Sequence, residues 1–404
     1  MTTLTAGASF SSERTRVLAR PAAFWGVVAA TATLLAASSA PSPLYAVYQA
    51  EYHFSAITLT AVFAVYVLAL LASLLTIGRI SDVLGRRPVL AAALVLEAAA
   101  MGVFLDARGV SWLYAARTLQ GIATGAAVGV LGAYLLDLQP PGGSRLGSLM
   151  NSVAATGGLG VGAVVTGVLV QFAPHPTRLI FVVFIAAFAL LLVLTAFLPE
   201  TAPRVPGARP SIRPQIAVPT AARRHFVKAA PTMISTWMLG GLIFSVGGSV
   251  LVTLFGETNH AIVGLVIGAF SGAGAITSTL LRDVAPVRMA RIGTLILVVG
   301  VALFVGALAT TSLAVFIVGA VLAGAGFGPA FLGAFRTVSQ LAEPHARAGL
   351  ISAIYVVSYL AFSIPALTAG LVIGHAGLRA TAMVYGAVVG LVAVATLGSS
   401  AKTD

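Results

Sequence analysis

Apolar residues follow one another along this chain in long, nearly unbroken runs, with few stretches of the two-residue alternation that marks a strand. Twelve such runs occupy residues 22–48, 55–77, 88–105, 112–138, 147–173, 178–198, 230–255, 260–281, 290–310, 312–341, 348–374 and 378–398. A helix needs about 20 apolar residues to cross a ~30 Å hydrocarbon layer, so each run predicts one membrane-spanning helix. The longer runs tilt or protrude. A membrane β-barrel would need short alternating segments instead, which argues against one here. The pattern therefore predicts an all-α integral membrane fold of twelve transmembrane helices.

The polar breaks divide the chain. A tail (residues 1–21) precedes six runs (22–198), a hydrophilic segment (199–229) rich in proline and arginine follows, then six more runs (230–398) and a short tail (399–404). The central segment reads as a linker with little regular structure beyond a short surface helix near Arg223–Lys228. The two sets of runs repeat. A shift of 203 residues lays Gly324 on Gly121, Gly328 on Gly125 and Gly370 on Gly167, and sets ALTAGLVI at 366–373 over AVVTGVLV at 163–170. A duplicated six-span unit, its copies related by an axis along the membrane normal, is a recurring membrane architecture, so two six-helix bundles are expected.

Composition agrees. With 59% hydrophobic residues and a mean hydropathy of +1.02, a water-soluble domain would expose large apolar patches. The net charge of +12 suggests nucleic acid until its placement is examined. Threaded with both termini in the cytoplasm, the chain puts eighteen of its 23 Lys and Arg on that side. Arg108, Arg178 and Arg379 fall outside, and Arg117 and Arg336 lie within spans. That is the positive-inside asymmetry, so the charge reports topology and no nucleic-acid partner is expected. Arginine far outnumbers lysine, which reads as the codon bias of a GC-rich bacterial genome and makes the inner (plasma) membrane the expected location. The absence of cysteine excludes disulfides and thiolate metal sites, and neither a metal nor a cofactor is expected. Ser38-Ser39-Ala40 would pass as a signal-cleavage site, but removing the first run would leave eleven spans and spoil the asymmetry. The run reads as helix one, its outer half bent by Pro41 and Pro43, whose missing donors free carbonyls that neighbours must satisfy.

The most polar short stretch between two spans is GRISDVLGRRP, residues 78–88. Gly78 and Gly85 allow the turn, and Asp82 can accept backbone N–H groups or pair with Arg86 or Arg87. The residue order G-x-x-x-D-x-x-G-R-R resembles the signature loop between the second and third helices of the major facilitator superfamily of transporters. The fourth run carries Arg117-x-x-Gln120-Gly121-x-x-x-Gly125, similar to the superfamily's fourth-helix motif, whose arginine is associated with proton coupling. Pro199-Glu200-Thr201 closes the sixth span as in drug-transporter branches of that family. The resemblance implies two bundles around a central cavity that opens alternately to either side, with the loop acting in gating. The Gly-Pro pair of the family's antiporters is missing from the fifth run, although Gly158, Gly162 and Gly167 remain.

Glu97, the acid at mid-depth in the third run, is a functional candidate because ionisable groups there are costly. With Arg117 it forms the candidate proton-coupling pair. Arg117 also stands close enough to its helix end to snorkel outward. Cavity candidates are Tyr45, Gln120, Asn151, Trp237, Phe331, Tyr355, Ser358 and Tyr359, with Tyr48 read as an interfacial anchor. Glycines 264, 268 and 272 form a ridge expected to meet the fifth-span glycines across the bundles. The partners expected are a small-molecule substrate, protons and membrane lipid, with the chain acting as a monomer. Aromatic, weakly polar walls suit amphipathic, mostly neutral molecules, and proton-driven efflux is the leading reading. A facilitator of a small polar solute and a receptor on the same scaffold remain open. No nucleotide loop and no nucleophile–base arrangement is present, so neither ATP use nor enzymatic activity is expected.

Overall fold

The computed structural model describes residues 17–77, 80–141, 146–202, 214, 216–341 and 343–400. Its elements are all helices: α1 (Arg20–Ser39), α2 (Pro41–Tyr52), α3 (Ala56–Ile77), α4 (Ser81–Leu84), α5 (Arg86–Leu105), α6 (Val110–Leu138), α7 (Leu146–Phe172), α8 (Leu179–Ala196), α9 (Thr220–Phe255), α10 (His260–Leu280), α11 (Pro286–Thr310), α12 (Leu313–Ser339), α13 (Pro344–Ala376) and α14 (Leu378–Ser400). Among the described residues twelve helical stretches are long and apolar enough to cross a membrane, with α1 and α2 together forming the first and the four-residue α4 lying in a loop. All twelve predicted spans are present, within a few residues of the expected bounds except at α9.

There the helix starts at Thr220 and continues without a break to Phe255, ten residues before the expected start of the seventh span. Pro231 sits inside it. Its missing N–H forfeits one helical bond without ending the helix. The described residues just before Thr220 are not helical, and Ala217 donates its N–H to the Gly349 carbonyl at 3.2 Å.

The halves are built alike. In the first, α6 lies on α3, and a Cβ at Gly121 or Gly125 would run into the backbone carbonyls of Tyr66 and Leu70. In the second, α12 lies on α10, with Gly324 and Gly328 against the carbonyls of Phe270 and Gly274. A hydroxyl-to-carbonyl bond repeats as well: Ser73 Oγ to Ile122 O at 2.6 Å, and Thr277 Oγ1 to Ala325 O at 2.7 Å. In hydrocarbon, where no water competes, such close approaches and hydroxyl bonds are what hold helices together. The helices α6 and α9 lie deepest, with 61% and 72% of their most apolar stretch buried, against 33% for α8 on the rim. Leu190, Val193, Val384 and Leu391 are among the side chains α8 and α14 turn outward.

The alternation of helices puts Arg20 and the described loop residues at 80–85 and 139–141 at one end of the bundle. The loops at 53–55, 106–109 and 256–259 lie at the other, called here the distal end. Between the halves, α7 and α10 pack glycine to glycine. A Cβ on Gly167 would stand 2.8 Å from Gly264 Cα, and one on Gly160 would stand 2.9 Å from Gly268 O. The same helix α7 uses a different face, Gly158 and Gly162, against α1. Distal hydrogen bonds join the halves too: Ser249 Oγ to Gln49 Oε1 at 3.2 Å and His260 N to Gln171 Oε1 at 2.9 Å.

Candidate transport site

The break between α1 and α2 creates the first part of the site. Pro41 has no N–H to give the Ala37 carbonyl four residues back, and this stretch of α1 and α2 lies against α6. Two side chains of α6 fill the gap. Gln120 donates Nε2–H to Ala37 O at 3.0 Å, and Arg117 donates through Nη1 to Ser38 O at 3.0 Å and to Gln120 Oε1 at 2.7 Å. Arg117 also gives Nε and Nη2 to the Tyr45 hydroxyl at 2.8 and 2.5 Å, and its guanidinium stacks 4.6 Å from the centre of the Tyr66 ring. It is 1% exposed. The snorkelling expectation is corrected: three oxygens of α1, α2 and α6 outcompete the short route outward.

No carboxylate pairs with Arg117 among the described residues. Glu97, also fully buried, lies on α5 and accepts from Thr124 Oγ1 at 2.5 Å through Oε1, while Oε2 has no partner. Thr124 stands seven residues beyond Arg117 on α6, two turns along the same face. The centre therefore holds one cation and one acid in separate hydrogen-bonded cradles joined by a single helix.

The second half is aromatic where the first is polar. The 203-residue shift puts Gly300, Ala320, Ala323 and Phe327 where Glu97, Arg117, Gln120 and Thr124 stand. Trp237 of α9 meets Phe331 at 5.3 Å, Tyr359 at 4.8 Å and Phe362 at 5.4 Å, each nearly perpendicular. Tyr355 stacks on Tyr359 at 5.9 Å, and Phe335 closes the ring between Phe331 and Tyr355. Gly240 and Gly241 admit the Phe362 segment, since a Cβ at Gly240 would meet the ring at 2.9 Å and one at Gly241 the Phe362 carbonyl. Phe63 of α3 touches Phe362 at 5.0 Å and links the box to the first half. Trp237 Nε1 and Ser358 Oγ are buried without a partner.

Of the sequence candidates, Tyr45, Gln120 and Arg117 come together in one cluster with Glu97 beside it, and Trp237, Phe331, Tyr355 and Tyr359 come together in another, with Ser358 on the same stretch of α13. Asn151 lies apart, its amide 3.6 Å from where a Gly132 Cβ would be. Tyr48 is 1% exposed and stacks on Tyr52 at 5.8 Å, so it is an internal packing residue and not an interfacial anchor. Sequence reasoning missed Thr124, Tyr66, Phe63, Phe335 and Phe362. Only Thr124, a hydroxyl inside the fourth-helix motif, offered a signal.

In the signature loop, Gly78 and the Asp82 side chain lie outside the described residues. Gly85 takes φ +98°, a conformation open to glycine. Arg86 pairs with Asp137 at 2.8 Å, and Arg87 donates to the Ala196 carbonyl. Glu200 receives the backbone N–H groups of Arg86 and Arg87 at 2.8 and 3.1 Å, capping α5 from another helix's end.

The family model described as Major Facilitator Superfamily matches residues 27–364. Among solved structures, the chain is similar to the human organic anion transporter MFSD10 (TETRAN), with a TM-score of 0.64 and 19% identity over 94% of this chain and 100% of that one. It is also similar to a mutant of the nucleoside transporter NupG, with a TM-score of 0.68 and 14% identity over 93% and 99%. A bacterial homologue of the human lysosomal transporter Spinster, inward-facing and unoccupied, gives a TM-score of 0.70 and 14% identity over 94% of each chain. No curated protein matches the sequence.

Proposed function

Because the chain belongs to the major facilitator superfamily and is a multi-pass membrane transporter, we propose that it exports small amphipathic molecules across the plasma membrane by alternating access, driven by protons. The observation that carries this reading is Glu97: an acid without exposed surface, held by Thr124 through one oxygen, the other oxygen unpartnered. A carboxyl that gains or loses a proton there changes the charge of the centre by a full unit, beside the Arg117 guanidinium, which forms no ion pair among the described residues. Such a change can only bias two arrangements of the halves that treat the two charge states differently. The distal bonds of Gln49 and Gln171 and the glycine seam of α7 and α10 are what the outward-open arrangement must release. In this reading the termini are cytoplasmic, as the basic residues favour, the monomer is the working unit, and the loop held by Asp137 and Glu200 gates the opposite end.

The missing proline of α7 favours a second reading, a facilitator that moves its solute without coupling. Counterflow in proteoliposomes with and without a pH gradient, over a panel of amphipathic compounds, separates the two. Gradient-accelerated movement supports proton coupling; equal movement in both conditions overturns it and leaves the facilitator.

A further inference from the structure

The aromatic box of the second half contains two hydrogen-bond donors without acceptors. Ser358 is 0% exposed and its Oγ has no partner, and the Nε1–H of Trp237 is buried with none while rings touch the indole on three sides. Buried donors are satisfied in the great majority of cases, so each orphan calls for an explanation. Three- and four-residue spacing along α13 puts Ser358 on the face of Tyr355, Tyr359 and Phe362, and Trp237 packs against Tyr359 and Phe362 of that face. The rings of Phe331, Phe335, Tyr355, Phe362 and Trp237 remain half-buried, which leaves ring surface for a flat molecule to cover.

Resting on the transporter reading, we propose that this box is the specificity site and that its substrates are uncharged, planar aromatic molecules carrying a hydrogen-bond acceptor, which Trp237 and Ser358 read. Stacked or edge-on rings supply the apolar contact, and the acceptor relieves the two donors. Cations would be drawn to the ring faces. They would nonetheless leave both donors unpaired, and an anion would have to leave water for a box of rings in which only two neutral donors could meet its charge.

The test uses four flat bicyclic probes of similar size: chromone (neutral, with a carbonyl acceptor), naphthalene (no acceptor), N-methylquinolinium (cation) and 2-naphthoate (anion). Binding of tritiated chromone to the purified full chain is measured by scintillation proximity, with the other three as competitors. Chromone is expected to bind roughly tenfold or more tightly than naphthalene, as two neutral hydrogen bonds allow, and more tightly than either ion. Trp237→Phe keeps a ring and loses the N–H, and Ser358→Ala loses the hydroxyl. Each should weaken chromone binding severalfold and leave naphthalene unchanged, a selectivity that misfolding would not produce. Naphthalene binding equal to that of chromone, variants that weaken both probes alike, or tightest binding by the cation or the anion would each overturn the proposal. Counterflow of the same probes isolates the premise: chromone that binds with the expected selectivity but is not moved refutes the transporter reading and leaves the site. Chromone that does not bind while other compounds are moved refutes the site alone.

Discussion

Replacing Gly264 by alanine would place a Cβ 2.8 Å from Gly167 Cα and 2.5 Å from the Ala163 carbonyl. Both are backbone atoms and cannot swing aside. Ordinary contact begins at 3.4 Å, so α7 and α10 must part by about 1 Å, which overpacking data put at about 1–3 kcal/mol. The helix propensity that alanine adds is the same in every arrangement and cancels. The full cost, about 1–3 kcal/mol, falls on the arrangement in which the seam is closed and shifts the equilibrium about 5- to 160-fold toward any arrangement that opens the seam. Gly272, eight residues along the same face, is the internal control, because a Cβ there meets nothing within 4 Å. The cysteine-free sequence allows the shift to be read directly. Cysteines at Gln49 and Ser249, whose side chains bond across the halves at 3.2 Å, are joined by a short bifunctional thiol reagent. Gly264→Ala should slow that cross-link by up to the calculated factor and Gly272→Ala should not. Equal rates in both would show that the seam does not govern distal closure.

Other consequences can be checked separately. Thr124→Val strips the remaining partner from Glu97 Oε1 and should lower the melting temperature of the purified protein by the equivalent of about 1–3 kcal/mol. Thr124→Ser should restore it, and an unchanged melt in the valine variant would deny the bond any weight. Glu200→Gln removes the charge that caps α5 through Arg86 and Arg87. It should cost about 1 kcal/mol in thermal stability, more at low salt, and a salt-independent loss would show that charge plays no part. Single cysteines at Gly109 and Ala221 lie at opposite ends of the bundle. An impermeant thiol reagent should label only the former in intact cells, and the reverse pattern would invert the orientation.

The spans were legible because a helix in hydrocarbon must be apolar for its whole length, and the repeat was legible because glycine seams recur at 203 residues in both halves. The ridge of glycines 264 and 268 meets α7 as expected. What the sequence concealed was direction. Arg117 could run outward or inward on length alone; the Ser38 carbonyl, the Tyr45 hydroxyl and Gln120 Oε1 turn it inward, and that geometry exists only once α1, α2 and α6 are packed. The start of α9 was hidden for another reason. Arg223, Arg224 and Lys228 look like linker, yet a helix leaving the membrane can carry such residues on its exposed turns. Phe63, Phe335 and Phe362 were invisible because a phenylalanine in an apolar run looks the same whether it faces lipid or a site.

The central claim is that Glu97 carries the coupling proton, and the direct measurement is transport by Glu97→Gln in proteoliposomes, with a pH gradient and at equal pH. Glutamine keeps the shape and can still accept from Thr124 while fixing the charge at zero. The account predicts that solute exchange at equal pH persists while acceleration by the gradient disappears. A variant that responds to the gradient as the parent does would contradict it.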